Sequence, residues 1–170
     1  MTFQQADSGN VNPYYKKGFI GYERNCQTCV AVFLARLHGY DVQAIPNFNN
    51  KSITKLSYNT SLAYIDANGN HPGYDKPLPD ENRIDFLERI VKKDEIRTLE
   101  FNKLGSGGHI VIVERNKTGE LQFYDPQNNK ITPKDEFQNY LYLAISLKSM
   151  NLTNCTIDEK FADKIMKKRS

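Results

Sequence analysis

The first sustained apolar rhythm in the chain starts next to Asn25. Cys26, Val30, Phe33, Leu34 and Leu37 recur at i, i+4, i+7, i+8 and i+11 and the pattern stops at Gly39, which predicts one helix with Asn25 as N-cap. The stripe is broad enough for the helix to be mostly buried. Upstream, residues 1–24 are polar, rich in Gly, Asn and Tyr and without a period, so they are expected to form an irregular leader that wraps the domain. Residues 43–79 mix short apolar runs such as "SLAYID" with the turn signals "NGN", "HPG" and "KPLP", which predicts loops and one hairpin. Asp80 then reads as the cap of a second amphipathic helix in which Ile84, Leu87, Ile90 and Val91 line up. The run "RTLEF" reads as a strand, with a flexible "GSGG" leading out of it.

The clearest alternation is "HIVIVERNKTGELQFYDPQ", two apolar runs joined by a polar turn containing Gly119, a hairpin that ends where Pro126 withdraws an amide from the ladder. In "TPKDEFQNYL", Thr132 reads as N-cap and Pro133 as the first helical residue of a short helix. "YLAISLKS" is open between a continuation of that helix and a strand. The tail "IDEKFADKIMKKRS" carries a weak helical stripe of Phe161, Ile165 and Met166, with basic residues at its C-terminal end. No internal repeat is visible.

Composition narrows the function classes. The chain has 170 residues, 39% hydrophobic and 25% charged, which suits one domain with a core of its own. Its 23 basic and 20 acidic side chains leave +3, spread along the chain, so neither nucleic acid nor an anionic membrane is implied. No apolar run nears the roughly 20 residues of a membrane span, and the N-terminus lacks the order of a signal peptide. Three cysteines, two of them three residues apart, make no disulfide framework and point to free thiols.

Those two, Cys26 and Cys29, admit four readings. A structural zinc needs four ligands, and His38, His71, His109 and Cys155 supply no second closely spaced pair. A redox pair should follow a strand in a βαβ unit, and "FIGYER" is a poor strand. Plain core packing suits both thiols on this helix alone. The fourth reading is a nucleophile. Cys26 falls in the first helical turn, where unpaired amides and the positive end of the helix dipole favour a thiolate, whereas Cys29 lies almost a turn deeper.

A nucleophilic cysteine needs a base, and the base needs an orienting group. His38 belongs to the end of its helix and His71 to an "NHPG" turn, while His109 opens an apolar strand. Asp125 ends the partner strand, where it also suits a turn-capping role ahead of Pro126. A three-residue loop of Lys117, Thr118 and Gly119 pairs Asn116 with Glu120, Val111 with Asp125 and His109 with Gln127, making His109 and Asp125 diagonal neighbours on one face. A four-residue loop shifts the register by one and parts them unless a bulge intervenes. A triad therefore requires the odd loop or a bulge.

"NCQTCVAVFLARLHGYDVQAIP" together with "GGHIVIVERNKTGELQFYDPQ" resembles the papain-fold toxin family, glutamine deamidases found at the C-termini of bacterial polymorphic toxins and in some phage head-associated proteins. The helix also resembles the peptidase domains of bacteriocin-exporting transporters, in which the helix ends at a Gly-Tyr pair. Both resemblances imply that the nucleophile is the cysteine directly after Asn25, Cys26; the papain-like run "CVAVF" leaves Cys29 as second choice. Papain-like enzymes place an oxyanion-binding Gln a few residues upstream, and this chain has Tyr22, Glu23 and Arg24 there. The hole would draw on the Cys26 amide and on Asn25 or a distant Gln.

The expectation is therefore an α+β, papain-like catalytic domain over 1–170, its N-terminal Cys26 helix packed on an antiparallel sheet that carries His109 and Asp125. Asn25 and Gln127 are expected to support the site, with no cofactor and no metal. The resemblance implies a protein glutamine deamidase delivered from the producing bacterium into a target-cell cytoplasm. It implies a protein substrate and room for a cognate immunity protein, with no nucleic acid, no membrane and a monomeric state. A cysteine protease and a catalytically silent interaction module of the same fold are the alternatives.

Overall fold

The computed structural model describes Ala6 and residues 9–105 and 107–169. Its centre is a five-stranded antiparallel sheet of β3 (Arg97–Lys103), β4 (Gly107–Arg115), β5 (Leu121–Asp125), β6 (Lys130–Pro133) and β7 (Ala144–Lys148), in the order β6-β5-β4-β3-β7. The β4–β5 hairpin closes through the three-residue loop, the one of the two that puts His109 and Asp125 on one face. Asn116 and Glu120 pair across Lys117, Thr118 and Gly119, the Asn116 amide donating to the Glu120 carbonyl at 2.9 Å. Gly119 takes φ +86°, a conformation that a Cβ would strain. The Asn116 side chain fixes the loop by accepting from the amides of Thr118 and Glu120, both at 3.0 Å. Ile112 then faces Tyr124 and Arg115 faces Leu121, so the register carries Asp125 to Val111 with no bulge between.

Alternation along β4 divides the core in two. Ile110 and Ile112, with Tyr124, pack with helix α1 (Cys26–Leu37), whereas Val111 and Val113, with Leu99, Phe101 and Phe123, pack with α3 (Arg83–Ile90) and α4 (Lys134–Leu141). The rings of Phe123 and Phe137 stack at 4.0 Å between centroids, holding α4 on its face. Each fully buried aliphatic or aromatic side chain in these layers contributes about 1.5–3 kcal/mol. Helix α1 is buried from Thr28 through Arg36 because a second layer covers its far side. That layer holds α2 (Lys51–Tyr58), α5 (Glu159–Ile165), the pair β1 (Val42–Ala44) with β9 (Met166–Lys168), and the pair β2 (Tyr64–Ile65) with β8 (Thr156–Ile157). The fold class is α+β, with the cysteine helix on an antiparallel sheet.

Several local expectations shift. The segment 43–79 was expected to hold loops and a hairpin; it contains helix α2, capped by Asn50, whose side chain accepts from the amides of Ser52 and Ile53. Only Ile53 and Leu56 of α2 are buried, too few to print a stripe. Its one clear strand, β2, pairs with Thr156–Ile157 rather than with a near neighbour. The cap of α3 is Asn82, not Asp80, which sits at φ +60°. Helix α4 begins at Lys134 with Pro133 at the cap position, because Thr132 and Pro133 are claimed by β6. "YLAISLKS" resolves into β7 because a free edge of β3 receives it. Of "GSGG", Gly107 and Gly108 open β4 rather than forming a flexible lead, and Ser106 lies outside the described residues.

The expected leader falls partly outside the described residues, at 1–5 and 7–8. From Gly9 to Arg24 it is irregular apart from a 3-10 turn at Tyr15–Lys17. It is anchored all the same. Val11 is fully buried and its carbonyl accepts from the Ala44 amide at 2.8 Å. Among the described residues no helix is long and apolar enough to cross a membrane.

Candidate active site

Cys26 is the first residue of α1. The first helical hydrogen bond runs from the Cys29 amide to the Asn25 carbonyl at 2.9 Å, so the amides of Cys26, Gln27 and Thr28 precede any helical acceptor and point their partial positive charge at the space around the thiol. Cys26 remains 8% exposed, where Cys29 is fully buried.

The hairpin brings the base. His109 Nε2 meets Asp125 Oδ2 at 2.7 Å, which leaves Nδ1 for Cys26, whose thiol is near enough to raise the imidazole's pKa. The ring stands edge-on to Phe101, 5.9 Å between centroids. Asp125 is itself braced, its Oδ1 accepting from the Gln127 amide at 2.9 Å and its Oδ2 from Asn128 Nδ2 at 3.1 Å. Burial alone would lower the His109 pKa. The hydrogen bonds to Asp125 and Cys26, and the charges of both, outweigh it and raise the pKa to about 10. His109 thus holds its proton at neutral pH.

The two cysteines separate on environment. Burial pushes the Cys29 thiol well up, the charges of Cys26 and Asp125 add to the push, and its sulfur donates to Asn25 Oδ1 at 3.4 Å. Cys29 is a packing residue of α1. Cys155 is likewise raised by burial and by the charge of Asp66. His38 and His71 turn elsewhere, to the carbonyls of Cys155 (3.0 Å) and Tyr64 (2.7 Å). Among the described residues no group of three or more His, Cys, Asp or Glu side chains could hold a metal ion.

Asn25 and Gln127 sit beside Cys26, His109 and Asp125, and the amide of Asn25, one candidate for the oxyanion hole, is engaged elsewhere. Asn25 occupies the N-cap position without a side-chain capping bond; its carboxamide is fully buried and donates to the carbonyl of Ile45 at 3.0 Å and to Asn12 Oδ1 at 3.3 Å. Gln127 Nε2 is spent on Asn25 Oδ1 at 3.2 Å. The carboxamide that does reach the reacting sulfur belongs to Gln27, whose Oε1 accepts from the Cys26 thiol at 3.2 Å. Gln27 and Leu37 are the two positions of α1 that are not buried, and nothing in the apolar pattern singles out Gln27 as the one beside the thiol.

His109 lines a hollow of about 380 Å³ beside Tyr15, Gly107 and Gln127, and two larger ones. One of about 500 Å³ runs past Asp125 to Phe137, Tyr140 and Leu143. The other, about 480 Å³, runs past Gln27 and Phe101 to Tyr58 and Lys148. Space open to a side chain therefore lies on more than one side of the imidazole.

No curated protein matches the chain. The family model described as papain fold toxin 1, glutamine deamidase, matches residues 24–130, a segment that runs from just before Cys26 to just past Gln127. With more than half its length inside that match, and with the cysteine, histidine and aspartate meeting in space within it, the chain belongs to the papain-fold toxin 1 family of glutamine deamidases.

Proposed function

We propose that the protein is a cysteine-dependent protein glutamine deamidase that uses Cys26, His109 and Asp125 as a triad. The observation that carries the reading is the His109 imidazole meeting the doubly braced Asp125 carboxylate and feeling the Cys26 thiol at the start of α1, with open hollows beside it. In this reading Cys26 reacts as the thiolate beside the protonated imidazole. The thiolate attacks the side-chain carbonyl carbon of a substrate glutamine, forming a C–S bond and placing negative charge on the carbonyl oxygen. The Cys26 amide at the helix start faces that charge, and the Gln27 carboxamide, turned to present its nitrogen, supplies a second donor. As the C–N bond breaks, His109 gives its proton to the departing ammonia. His109 then takes a proton from water, which attacks the thioester, and the thiolate leaves with a glutamate in place of the glutamine. Asp125 holds the imidazole in the tautomer and orientation this needs.

As a member of a toxin family the protein would be delivered from a producing bacterium and act on a protein in the target-cell cytoplasm. The test is mass spectrometry of target-cell proteins after exposure to the wild type and to Cys26→Ala. A gain of about one dalton at a glutamine, present only with the wild type, is the expected result. A new chain terminus instead would make the protein a protease, and toxicity undiminished in Cys26→Ala would make it a binding module.

A further inference from the structure

Beyond the triad, three carboxamide side chains from three distant segments meet in one buried cluster. Asn12 comes from the N-terminal strap, Asn25 from the residue before Cys26, and Gln127 from the turn after β5; they are 6%, 0% and 7% exposed. Asn12 Nδ2 lies 2.8 Å from the Tyr22 carbonyl, 2.9 Å from the Gln127 carbonyl and 3.4 Å from Asn25 Oδ1. Asn25 Nδ2 returns to Asn12 Oδ1, and Gln127 Nε2 reaches Asn25 Oδ1. The Gln127 amide in turn braces Asp125. The links run round the site as a ring: Cys26 is bonded covalently to Asn25, Asn25 to Gln127 by hydrogen bond, Gln127 through its backbone amide to Asp125, and Asp125 to His109, whose imidazole feels the Cys26 thiol.

Two bodies have to be held in register for the chemistry, the start of α1 and the β4–β5 hairpin. Asn25 and Gln127 join them beside the triad, and Asn12 is the side chain that bonds both joining residues at once. Buried amide groups are costly to leave unpaired, so the cluster favours one separation of the two bodies over any other. From this we infer that Asn12 is a positioning residue of the active site. Through it, the strap from Gly9 to Arg24, nearly all of it outside the family-matched segment, sets the distance between Cys26 and His109. The inference rests on the triad reading and needs no knowledge of the substrate.

The test is the rate of Cys26 alkylation by iodoacetamide across the pH range, read by peptide mapping in the full chain. Asn12→Ala is expected to change the Cys26 rate at neutral pH by about tenfold and to move the alkaline step of its pH profile below the wild-type position near 10, because the imidazole loses its fixed approach to the sulfur. Gln127→Met, which keeps length and loses the amide, is expected to move the same step in the same direction, so the prediction survives if Asn12→Ala folds poorly. Val11→Ala is the control for a loosened strap. It removes buried apolar contact next to Asn12 without touching the ring, and should lower the melting temperature while leaving the alkylation profile at its wild-type position. Wild-type profiles in both Asn12→Ala and Gln127→Met, or a Val11→Ala profile displaced as far as theirs, would overturn the inference. Deamidation fails on a separate readout: a one-dalton gain that persists with Cys26→Ala sinks the proposed reaction and leaves the alkylation result standing.

Discussion

The two halves of the site are built in opposite ways. The His109–Asp125 half is local: sixteen positions apart on one hairpin, the two side chains are brought together by a three-residue loop and an unbroken register. The Cys26 half is held from a distance. The start of α1 is pinned by Asn12 from the strap, by Gln127 from beyond β5 and by the Ile45 carbonyl. A hairpin positions its residues by counting; a helix end needs side chains from elsewhere. The first half should therefore resist disturbance of the rest of the molecule, and the second should not.

The largest break is chemical. Cys26→Ala is expected to abolish deamidation, a loss of at least about 10³-fold measured as the one-dalton gain per unit time. Asp125→Asn attacks the local half from within, leaving the hairpin formed but the imidazole without its charged partner. A loss of about 10²–10⁴-fold is expected, and a rate within about threefold of wild type would remove Asp125 from the triad.

The same substitution moves the pH dependence. The His109 pKa is raised from 6.5 to about 10, so the protonated imidazole persists as pH rises and is lost only through about 10, where wild-type activity should fall. Because the folded value lies above the unfolded one, the stability this pairing contributes is fully present below about 6.5 and disappears as pH rises through 10. In Asp125→Asn both the activity limb and the stability loss should move down toward 6.5.

Smaller effects sharpen the contrast. Gly119→Val forces a branched side chain into φ +86° and should cost about 1–2 kcal/mol in urea unfolding. Activity per folded molecule should stay at the wild-type level, since the ladder from Ile112 to Arg115 still sets the register; lost activity in fully folded protein would mean the loop, not the ladder, carries it. Cys29→Ala should be milder still for chemistry, with wild-type deamidation and a cost of about 1 kcal/mol from the lost packing and the bond to Asn25.

How far the sequence reaches follows the same division. Helix α1 and the β4–β5 hairpin have strong periods of their own, and Gly119 announces the turn, so spacing narrowed His109 and Asp125 to two registers and the structure chose the one that pairs them. Helix α2 and the pairs β1–β9 and β2–β8 could not be read. Their apolar positions are few, and each strand's partner lies about a hundred residues away or more. Cys26 was preferred over Cys29 by position in the helix and by resemblance; what separates them physically is that one meets His109 and the other is sealed against Asn25.

The sequence by itself determined the elements whose signal is local: the amphipathic helix that begins at Cys26, the hairpin, and the residue types of the chemistry; the hairpin's register came from the structure. Only the tertiary structure decided which carboxamides do what. Asn25 and Gln127 turn inward to a buried cluster with Asn12, while Gln27 faces the thiol. An amide's role is set by whether its neighbours leave it a free hydrogen and a path to the site, and those neighbours come from segments that no local pattern connects.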